Sequence, residues 1–406
     1  MSMTLAQRET LSPAAAAAEN SRSPFVRLTD LIAGIAPGKP AINLSVGEPQ
    51  HAIPDFVGPV LAQHVAEFGR YPANKGAEQF RQSVAQWLGR RYDLAKPVDP
   101  EHEVLVLSGT REGLFLGAIA AKRYVGNRVG PPAILIPNPF YAAYAAGAAA
   151  AECEPVYLPC TREHGFLPDL DALDDALLKR TVAFYFASPS NPQGAVADRT
   201  YLERLVALAR RYGFMIFADE CYCEIYSKDK PAGMLEAAGA GFANTIVFHS
   251  LSKRSNLPGL RMGFVAGDRN FLAAFLELRN VAAPQVPVPL QHVAIAAYND
   301  ETHVVRNREL YNAKFDLADQ IIGDRYGYKR PAGGFFLWLD VSKHGGSEAA
   351  TKKLWAEAGV RVVPGKYLAR EQKDGSNPGA NFIRIAMVQN AEATAEALHR
   401  IVDVLG

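Results

Sequence analysis

The stretch Thr245–Phe264, TIVFHSLSKRSNLPGLRMGF, decides how the rest of the chain is interpreted. Its apolar run IVF is too short for a helix and rich in β-branched and aromatic residues, so it predicts a buried strand. Ser250, Ser252 and Lys253 follow directly, and Arg261 comes after a glycine-containing turn. A lysine just beyond a buried strand, flanked by hydroxyls, indicates a functional site, although this stretch alone leaves open an ordinary exposed loop lysine.

Length and composition limit the classes of protein to which the chain can belong. The 406 residues exceed the usual size of one hydrophobic core, so two domains are expected. The net charge of +1 gives no electrostatic reason to expect nucleic acid or a membrane surface as a partner. The four cysteines form no CxxC pair, which argues against a disulfide framework and a structural zinc site and fits a reducing cytoplasm. The sequence motifs predict no metal site.

Two alanine-rich stretches are the candidates for a membrane or targeting segment. The run Tyr141–Ala151 is too short to span a bilayer. Ala14–Ala18 follows Arg8 and Glu9 and lacks the apolarity of a signal-peptide core, so residues 1–24 are predicted to be a disordered or helical lead-in. We therefore expect a cytoplasmic protein without a membrane partner.

Apolar runs alternate with helical patterns through the first two thirds of the chain. The predicted strands are Val104–Leu107, Ala133–Ile136, Val182–Phe186, Met215–Ala218 and Ile246–Phe248. Helical patterns follow Gly76 and Thr110 and cover Leu202–Tyr212. This alternation predicts the α/β class with a mainly parallel, doubly wound sheet.

Polar residues follow these strands, and the carboxyl ends of parallel strands are where such sheets bind ligands. The residues at those ends are Ser108, Gly109, Thr110, Tyr141, Asn191, Asp219, Tyr222, Ser250, Ser252 and Lys253. The turn Ser108-Gly109-Thr110 leads into a helix and suits a phosphate, although the same residues are ordinary helix caps. The common location indicates one site.

The alternation stops at the proline-rich segment Pro284–Pro289. A long helical pattern and two apolar strands, Phe335–Leu339 and Phe382–Met387, come after it. We predict an N-terminal arm (1–45) that packs on the small domain, a large domain (46–290) and a smaller α+β C-terminal domain (291–406).

The residues at the strand ends suit a phosphorylated aromatic aldehyde. Pyridoxal phosphate needs a lysine amine, a carboxylate for its pyridine nitrogen, donors to its ring oxygen, a flat side chain against the ring and anion contacts for its phosphate. The chain supplies one candidate for each requirement.

Several motifs carry a specific resemblance. They are Gly47-Glu48-Pro49, Tyr71 to Gly76, Ser108-Gly109-Thr110, Ser188 to Gly194, Asp219-Glu220-Cys221-Tyr222, Ser250-Leu251-Ser252-Lys253 with Arg261, and Phe382-Ile383-Arg384-Ile385. From about Phe25 to the C-terminus the chain resembles the class I/II, fold-type-I pyridoxal-phosphate aminotransferases. The resemblance implies a three-layer sandwich around the sheet, and ping-pong transfer of an amino group between an amino acid and a 2-oxo acid.

The resemblance also implies roles around the cofactor ring. Lys253 would link to the cofactor and later move the proton at the substrate Cα, and Asp219 would pair with the pyridine nitrogen. Asn191 and Tyr222 would bond the ring oxygen, with Asn191 also facing the substrate. Tyr141 would stack on the ring.

For the phosphate, the implied ligands are Gly109, Thr110, Arg111, Ser250, Ser252 and Arg261. Tyr71 would reach the phosphate of the neighbouring subunit, which implies a homodimer with shared active sites. Arg384 would clamp the substrate α-carboxylate, with Gly47 alongside.

Within the family, several segments resemble the N-succinyldiaminopimelate aminotransferases of lysine biosynthesis, which implies a dicarboxylic donor and 2-oxoglutarate as acceptor. Those segments include Ala294–Glu301 and Tyr367–Arg370. Arg111 is our hypothesis for the distal carboxylate, Lys75 the second candidate, and a phosphate or surface role for Arg111 stays open. Arg254 marks the same subgroup without an evident role.

Other functions stay open. No arginine lies between Val281 and Ala297, where some aspartate aminotransferases bind the side-chain carboxylate, which counts against aspartate but does not exclude a broad-specificity enzyme. A C–S β-lyase would use the same lysine. An effector-binding regulator domain would follow a basic helix-turn-helix segment, whereas about two dozen residues precede the family-like region.

Overall fold

A computed structural model describes residues 22–406 of the chain. The predicted lead-in falls on residues 1–24, of which 1–21 lie outside the described residues. Across the described part, none of the helices is both long enough and apolar enough to cross a bilayer.

A seven-stranded sheet forms the centre of the larger part of the protein. Its strands are β2 (Val104–Leu107), β3 (Ala133–Asn138), β4 (Glu154–Pro159), β5 (Thr181–Ala187), β6 (Met215–Asp219), β7 (Thr245–Ser250) and β8 (Gly263–Gly267). Their order is β2-β8-β7-β6-β5-β3-β4. All neighbouring pairs are parallel except those of β8, which runs antiparallel to both β2 and β7. The mainly parallel sheet is confirmed.

Side chains from the strands enter a hydrophobic core on each face of the sheet. In β2, Val104 and Val106 join one core, whereas Leu105 and Leu107 join the other, as the period of two in a strand requires. Helix Glu78–Arg91 contributes Trp87 to the first core. Helix Thr110–Val125 contributes Leu114 to the second. Helices therefore cover both faces, and the predicted three-layer architecture is confirmed.

The α-helices of the described chain are Pro24–Leu31, Val57–His64, Glu78–Arg91, Thr110–Val125, Ala142–Ala150, Asp175–Arg180, Arg199–Tyr212, Met234–Ala238, Leu251–Arg254, Arg269–Ala282, Val288–Asn299, Thr302–Ile321, Gly346–Ala358 and Ala391–Leu405. Most predicted helices are present with shifted ends. Lys253 lies in the short helix Leu251–Arg254 and not in a loop.

The chain divides into two compact units. The larger comprises Glu48–Ala313 and Pro331–Phe335, and the smaller comprises the described residues up to Gly47 with Lys314–Arg330 and Phe336–Gly406. The larger unit thus extends past residue 290, where we predicted a boundary, because helix Val288–Asn299 packs on helices Val57–His64 and Glu78–Arg91. The boundaries 1–45, 46–290 and 291–406 stay a prediction.

Within the smaller unit, two small sheets are formed. β1 (Ile42–Asn43) pairs in parallel with β10 (Val360–Arg361). β9 (Phe336–Asp340), β12 (Phe382–Ala386) and β11 (Val363–Pro364) form an antiparallel sheet in the order β11-β12-β9, in which Arg384 lies opposite Trp338.

Candidate active site

Strands β2, β3, β5, β6 and β7 end at one edge of the central sheet, because β2 is separated from the parallel strands only by antiparallel β8. The residues predicted from the sequence at the carboxyl ends of these strands therefore share that edge. Arg261 joins them although it precedes a strand, because antiparallel β8 begins where its neighbours end. The sequence and the topology agree on the location of the site.

The turn after β2 is shaped by Gly109. This residue caps helix Thr110–Val125 with φ 75° and ψ 154°, a conformation that disfavours side chains. A Cβ atom at this position would lie 2.1 Å from Arg261 Nη2. A side chain at this position would collide with the guanidinium, so glycine lets Arg261 lie against the turn that starts the helix. Helix N-terminal amides and a guanidinium are both donors suited to an anion.

Arg261 is fixed by its own loop. Its Nη1 donates to the Pro258 carbonyl at 2.8 Å, and its Nη2 lies 3.5 Å from the Ser108 carbonyl oxygen. The backbone of Arg261 is left-handed, with φ 56° and ψ 44°. The guanidinium stays exposed, so it remains able to contact a bound anion.

Two serines lie where β7 ends and the short helix Leu251–Arg254 begins. The Ser250 hydroxyl donates to Ser252 Oγ at 2.9 Å, and the Ser252 amide donates to Ser250 Oγ at 3.1 Å. Ser250 is buried at the end of β7, and Ser252 lies half-buried in the first turn of the next helix. Because the Ser250 proton is used within this pair, Ser252 is the hydroxyl of the two that is left as a donor.

Lys253 is half-buried against an aromatic ring. Its Nζ lies 5.4 Å from the centroid of the Phe335 ring. Its carbonyl accepts a hydrogen bond from Asn307 Nδ2 at 3.2 Å, and Asn307 Oδ1 lies 2.7 Å from His51 Nδ1. Asn307 and His51 hold the backbone of the lysine and were not anticipated from the sequence.

Asp219 ends β6 and accepts two hydrogen bonds. Tyr144 Oη donates to Asp219 Oδ2 at 2.7 Å, and the Cys221 amide donates to Oδ1 at 3.2 Å. Burial, followed by the nearby Asp219 carboxylate, raises the pKa of Tyr144 well above its usual value, so the phenol stays a donor. Tyr144 stacks on Tyr185 with ring centroids 4.5 Å apart, which fixes its direction.

Tyr144 is a site residue that the sequence interpretation missed. It lies in the helix Ala142–Ala150, one turn after Tyr141. The available signal was the three-residue spacing, which places both phenols on one face of a helix. Nothing in the sequence indicated that the second would reach β6.

Tyr141 contacts the residue proposed for the distal carboxylate. Arg111 Nε donates to Tyr141 Oη at 2.6 Å, and the rings of Tyr141 and Tyr144 meet edge to face at 5.7 Å. Burial raises the pKa of Tyr141, and the hydrogen bond from Arg111 opposes that shift. Arg111 is itself exposed, so its guanidinium remains accessible at the edge of the site.

Tyr222 and Asn191 are half-buried in the loops that follow β6 and β5. The Tyr222 ring lies 5.3 Å from Phe335 at 80°, so Phe335 contacts both this phenol and the lysine side chain. Asn191 precedes Pro192 through a cis peptide bond. Their predicted bonds to the ring oxygen stay predictions.

Two predicted residues of the larger unit lie elsewhere on its surface. The Tyr71 side chain is 95% exposed. Lys75 Nζ pairs with the Glu101 carboxylate, and Glu101 also accepts from Arg81 at 2.7 Å. The ammonium of Lys75 is therefore already neutralised by a carboxylate.

In the smaller unit, Arg384 is buried in strand β12. Its Nη2 donates to the Ser45 carbonyl at 2.7 Å, and its guanidinium carbon lies 4.6 Å from the centroid of the Phe336 ring. Gly47 lies two residues after Ser45. Arg384 and Gly47 thus belong to one unit, and their contacts with the substrate stay a prediction.

A buried polar cluster supports the strand end next to Asp219. Glu220 Oε2 accepts from Tyr92 Oη at 2.8 Å and lies 3.1 Å from His249 Nε2. Burial lowers the pKa of His249, but Cys223 and Glu220 outweigh it and raise the pKa to about 9. His249 is consequently a cation at neutral pH, paired with Glu220 inside the core.

Arg254 has a structural role. Its side chain is buried between the rings of Trp87 and Tyr298, donates to the Ala297 carbonyl at 2.7 Å and pairs with Glu301 at 2.6 Å. It ties the helix that carries Lys253 to helix Val288–Asn299.

The chain is similar to known aminotransferases along most of its length. The sequence profile described as aminotransferase class I and II matches residues 39–401. The LL-diaminopimelate aminotransferase of Syntrophobacter fumaroxidans is 31% identical over 378 residues, covering 90% of this chain and 92% of the relative.

Solved structures have the same fold. An aminotransferase from Neisseria meningitidis matches with a TM-score of 0.89 and 38% identity, covering 95% of this chain and 97% of its own. A probable N-succinyldiaminopimelate aminotransferase from Thermus thermophilus matches with a TM-score of 0.82 and 24% identity, covering 94% and 100%. The second likeness concerns the fold alone.

Proposed function

Because the chain belongs to the class I and II aminotransferases, enzymes that depend on pyridoxal 5'-phosphate, we propose that it moves an amino group from a diaminopimelate-type dicarboxylic amino acid to a 2-oxo acid. The sequence motifs favour N-succinyl-LL-2,6-diaminopimelate as donor, with 2-oxoglutarate as acceptor, in lysine biosynthesis. The relatives named LL-diaminopimelate aminotransferase favour the free diaminopimelate instead. Both donors carry a carboxylate far from the reacting amine.

The observation that carries the proposal is the single sheet edge that gathers Lys253, Asp219 and the anion-binding turn. These three features match the aldehyde, the ring nitrogen and the phosphate of pyridoxal phosphate. Glycine at position 109 lets the Arg261 guanidinium lie against the turn that starts helix Thr110–Val125, and phosphate suits a guanidinium combined with the amides of a helix N-terminus. The residues present therefore fit the cofactor.

The proposed chemistry divides between cofactor and protein. Bound pyridoxal phosphate supplies an electron-withdrawing ring that stabilises negative charge at the substrate Cα. Lys253 Nζ would act as the base that takes the proton from the substrate Cα and as the acid that later gives it back. Asp219 would hold the ring nitrogen, and the hydrogen bond from Tyr144 would orient the carboxylate for that contact. Asn191 and Tyr222 would hold the ring oxygen.

Arg111 is the proposed ligand of the distal carboxylate. Its Nε is already used by Tyr141 at 2.6 Å, so the hydrogen bond positions the guanidinium and leaves its two terminal nitrogens for a carboxylate. Lys75, the second candidate, is disfavoured because Glu101 already binds its ammonium. Arg384, with Gly47 alongside, stays the proposed ligand of the α-carboxylate.

We also infer a homodimer in the cytoplasm. The exposed phenol of Tyr71 is the support, because a tyrosine that is 95% exposed in the single chain is available to be covered by a neighbouring subunit and to reach its phosphate.

The half-reaction of the cofactor-loaded protein tests the proposal. The protein is mixed with LL-diaminopimelate, N-succinyl-LL-diaminopimelate, glutamate, aspartate or an aromatic amino acid, and conversion is followed by cofactor absorbance. Rapid conversion by one of the diaminopimelates and by glutamate supports the proposal. Faster conversion by aspartate than by either diaminopimelate would identify an aspartate or broad-specificity aminotransferase.

The β-lyase alternative has its own signature. A C–S β-lyase would release pyruvate steadily from a sulfur amino acid without an added 2-oxo acid. Steady turnover under those conditions, without accumulation of the aminated cofactor, would overturn transamination as the main activity.

A further inference from the structure

Three side chains with the chemistry of metal ligands meet away from the sheet edge. His64 ends helix Val57–His64, Glu67 lies in the 3₁₀ turn Val65–Gly69, and His292 lies in helix Val288–Asn299. One ligand atom from each lies within 4.8 Å of the other two. Among residues 22–406, this is the one group of three or more such side chains that meets that criterion.

The distances suit a shared ion. Glu67 Oε1 lies 2.7 Å from His64 Nδ1 and 3.4 Å from His292 Nε2. In a tetrahedral zinc site with bonds of about 2.0–2.1 Å, neighbouring ligand atoms are about 3.4 Å apart. The side chains are thus close to the separation that an ion requires before any ion is bound.

The imidazole rings lie parallel, with centroids 3.6 Å apart and 9° between their planes. Rotation about the Cβ–Cγ bonds would tilt the rings so that one lone pair of each aims at the same point. Both rings already have a nitrogen within 3.4 Å of the same carboxylate oxygen of Glu67. The stacked rings and Glu67 are therefore close to the arrangement that a bound ion would need.

The nitrogen and oxygen ligand atoms of these three side chains indicate which ions would bind. Two imidazoles and one carboxylate favour zinc, nickel, cobalt or copper, whereas magnesium and calcium prefer oxygen ligands only. Three protein ligands leave one position for water or another donor.

The cluster is accessible. The side chains of His64 and His292 are 23% and 19% exposed, and that of Glu67 is 40% exposed. Glu67 also lines a surface cleft with Arg70, Tyr71 and Val288. In the single chain, an ion can therefore reach the three side chains from solvent without unfolding of the segment.

We propose that His64, Glu67 and His292 bind one divalent transition-metal ion, with Zn²⁺ the best match. The ion would tether the turn Val65–Gly69 to helix Val288–Asn299, in the segment that leads directly to Tyr71. The sequence motifs predicted no metal site, because the ligands come from segments far apart in the chain. The site is independent of the proposed substrate.

Zinc titration of the cofactor-loaded, chelator-treated protein tests the proposal by calorimetry. We expect the parent protein to bind one Zn²⁺ per chain. The variants His292→Ala and Glu67→Gln should each bind Zn²⁺ at least about 100-fold more weakly than the parent, because loss of a direct ligand costs more than loss of an outer-shell partner. His164→Ala is the matched control, since this histidine is 47% exposed and its nearest carboxylate, Asp169, lies 3.9 Å away. That variant should bind Zn²⁺ like the parent protein.

Cobalt supplies a second readout that does not depend on activity. Co²⁺ bound by the triad should give the intense visible absorption of a low-coordinate site, and His64→Ala should abolish it. Cofactor content and the thermal midpoint, both measured without metal, identify any variant that has lost its fold. If His292→Ala has lost its fold, His292→Gln is used in its place. Equal Zn²⁺ binding by the parent and both ligand variants, or no saturable binding by the parent, would overturn the proposal.

Discussion

Gly109→Ala should weaken cofactor binding through Arg261. The new Cβ would lie 2.1 Å from Arg261 Nη2, so the guanidinium must retreat by more than about 1 Å to reach ordinary contact distance. Loss of one charged hydrogen bond to the phosphate costs about 1.5–3 kcal/mol, which corresponds to roughly 10- to 100-fold weaker binding. Because φ is 75° at this position, the substitution should also cost about 1–2 kcal/mol of folding free energy.

Gly126→Ala separates the two effects. Gly126 caps the other end of the same helix with the same φ of 75°, but a Cβ there would have no neighbour within 4 Å. It should lose comparable stability in urea unfolding and keep the cofactor affinity of the parent protein. The affinities are measured by titrating cofactor-free protein with pyridoxal phosphate and following absorbance.

A double-mutant cycle tests whether Gly109→Ala weakens cofactor binding by displacing Arg261. In an Arg261→Ala background, Gly109→Ala should cost little further affinity, because the group that it displaces is already gone. Full additivity of the two substitutions, or parent-like affinity of Gly109→Ala, would refute the reasoning.

Three further outcomes follow from the same geometry. Lys253→Ala should lose transamination and the absorbance of the lysine-linked cofactor; persistence of that absorbance would contradict the assignment. Arg111→Gln should lower kcat/KM for a diaminopimelate about 10- to 100-fold and for alanine much less, whereas Tyr141→Phe, which keeps the guanidinium, should cost less than Arg111→Gln. The raised pKa of His249 predicts that its stabilisation, on the order of 3 kcal/mol, is full below pH 6.5 and lost as pH rises to about 9. Urea unfolding of parent and His249→Gln across that range measures this, and a difference that grows with pH would contradict it.

The central sheet was predictable because its strands are short apolar runs bounded by turns. Val104–Leu107 has the predicted bounds, and Met215–Asp219 differs by one residue. β4 was missed because it is an edge strand, half-exposed, with Pro155 and Pro159 within it. The apolar run of this strand is only three residues long and lies between two prolines, which are rare within strands.

The position of the candidate site was also predictable, because a parallel sheet sends the ends of its strands to one edge. The supporting contacts were not. The bonds of Tyr144 to Asp219 and of Asn307 to the Lys253 carbonyl join elements distant in sequence, and their side-chain directions follow from packing. The triad His64, Glu67 and His292 was hidden for the same reason.

The antiparallel pairing of β7 with β8 has a consequence for how the protein folds. Ser250, Lys253 and Arg261 all lie on or between these two adjacent strands, which contact each other along one short stretch of chain. Closing so short a loop costs little entropy, because the residues that pair are close in sequence. The pairing of β2 with β8, in contrast, joins segments far apart in the chain. The segment richest in site residues is thus also one that can assemble early, and substitutions within it should alter the rate of folding as well as the chemistry.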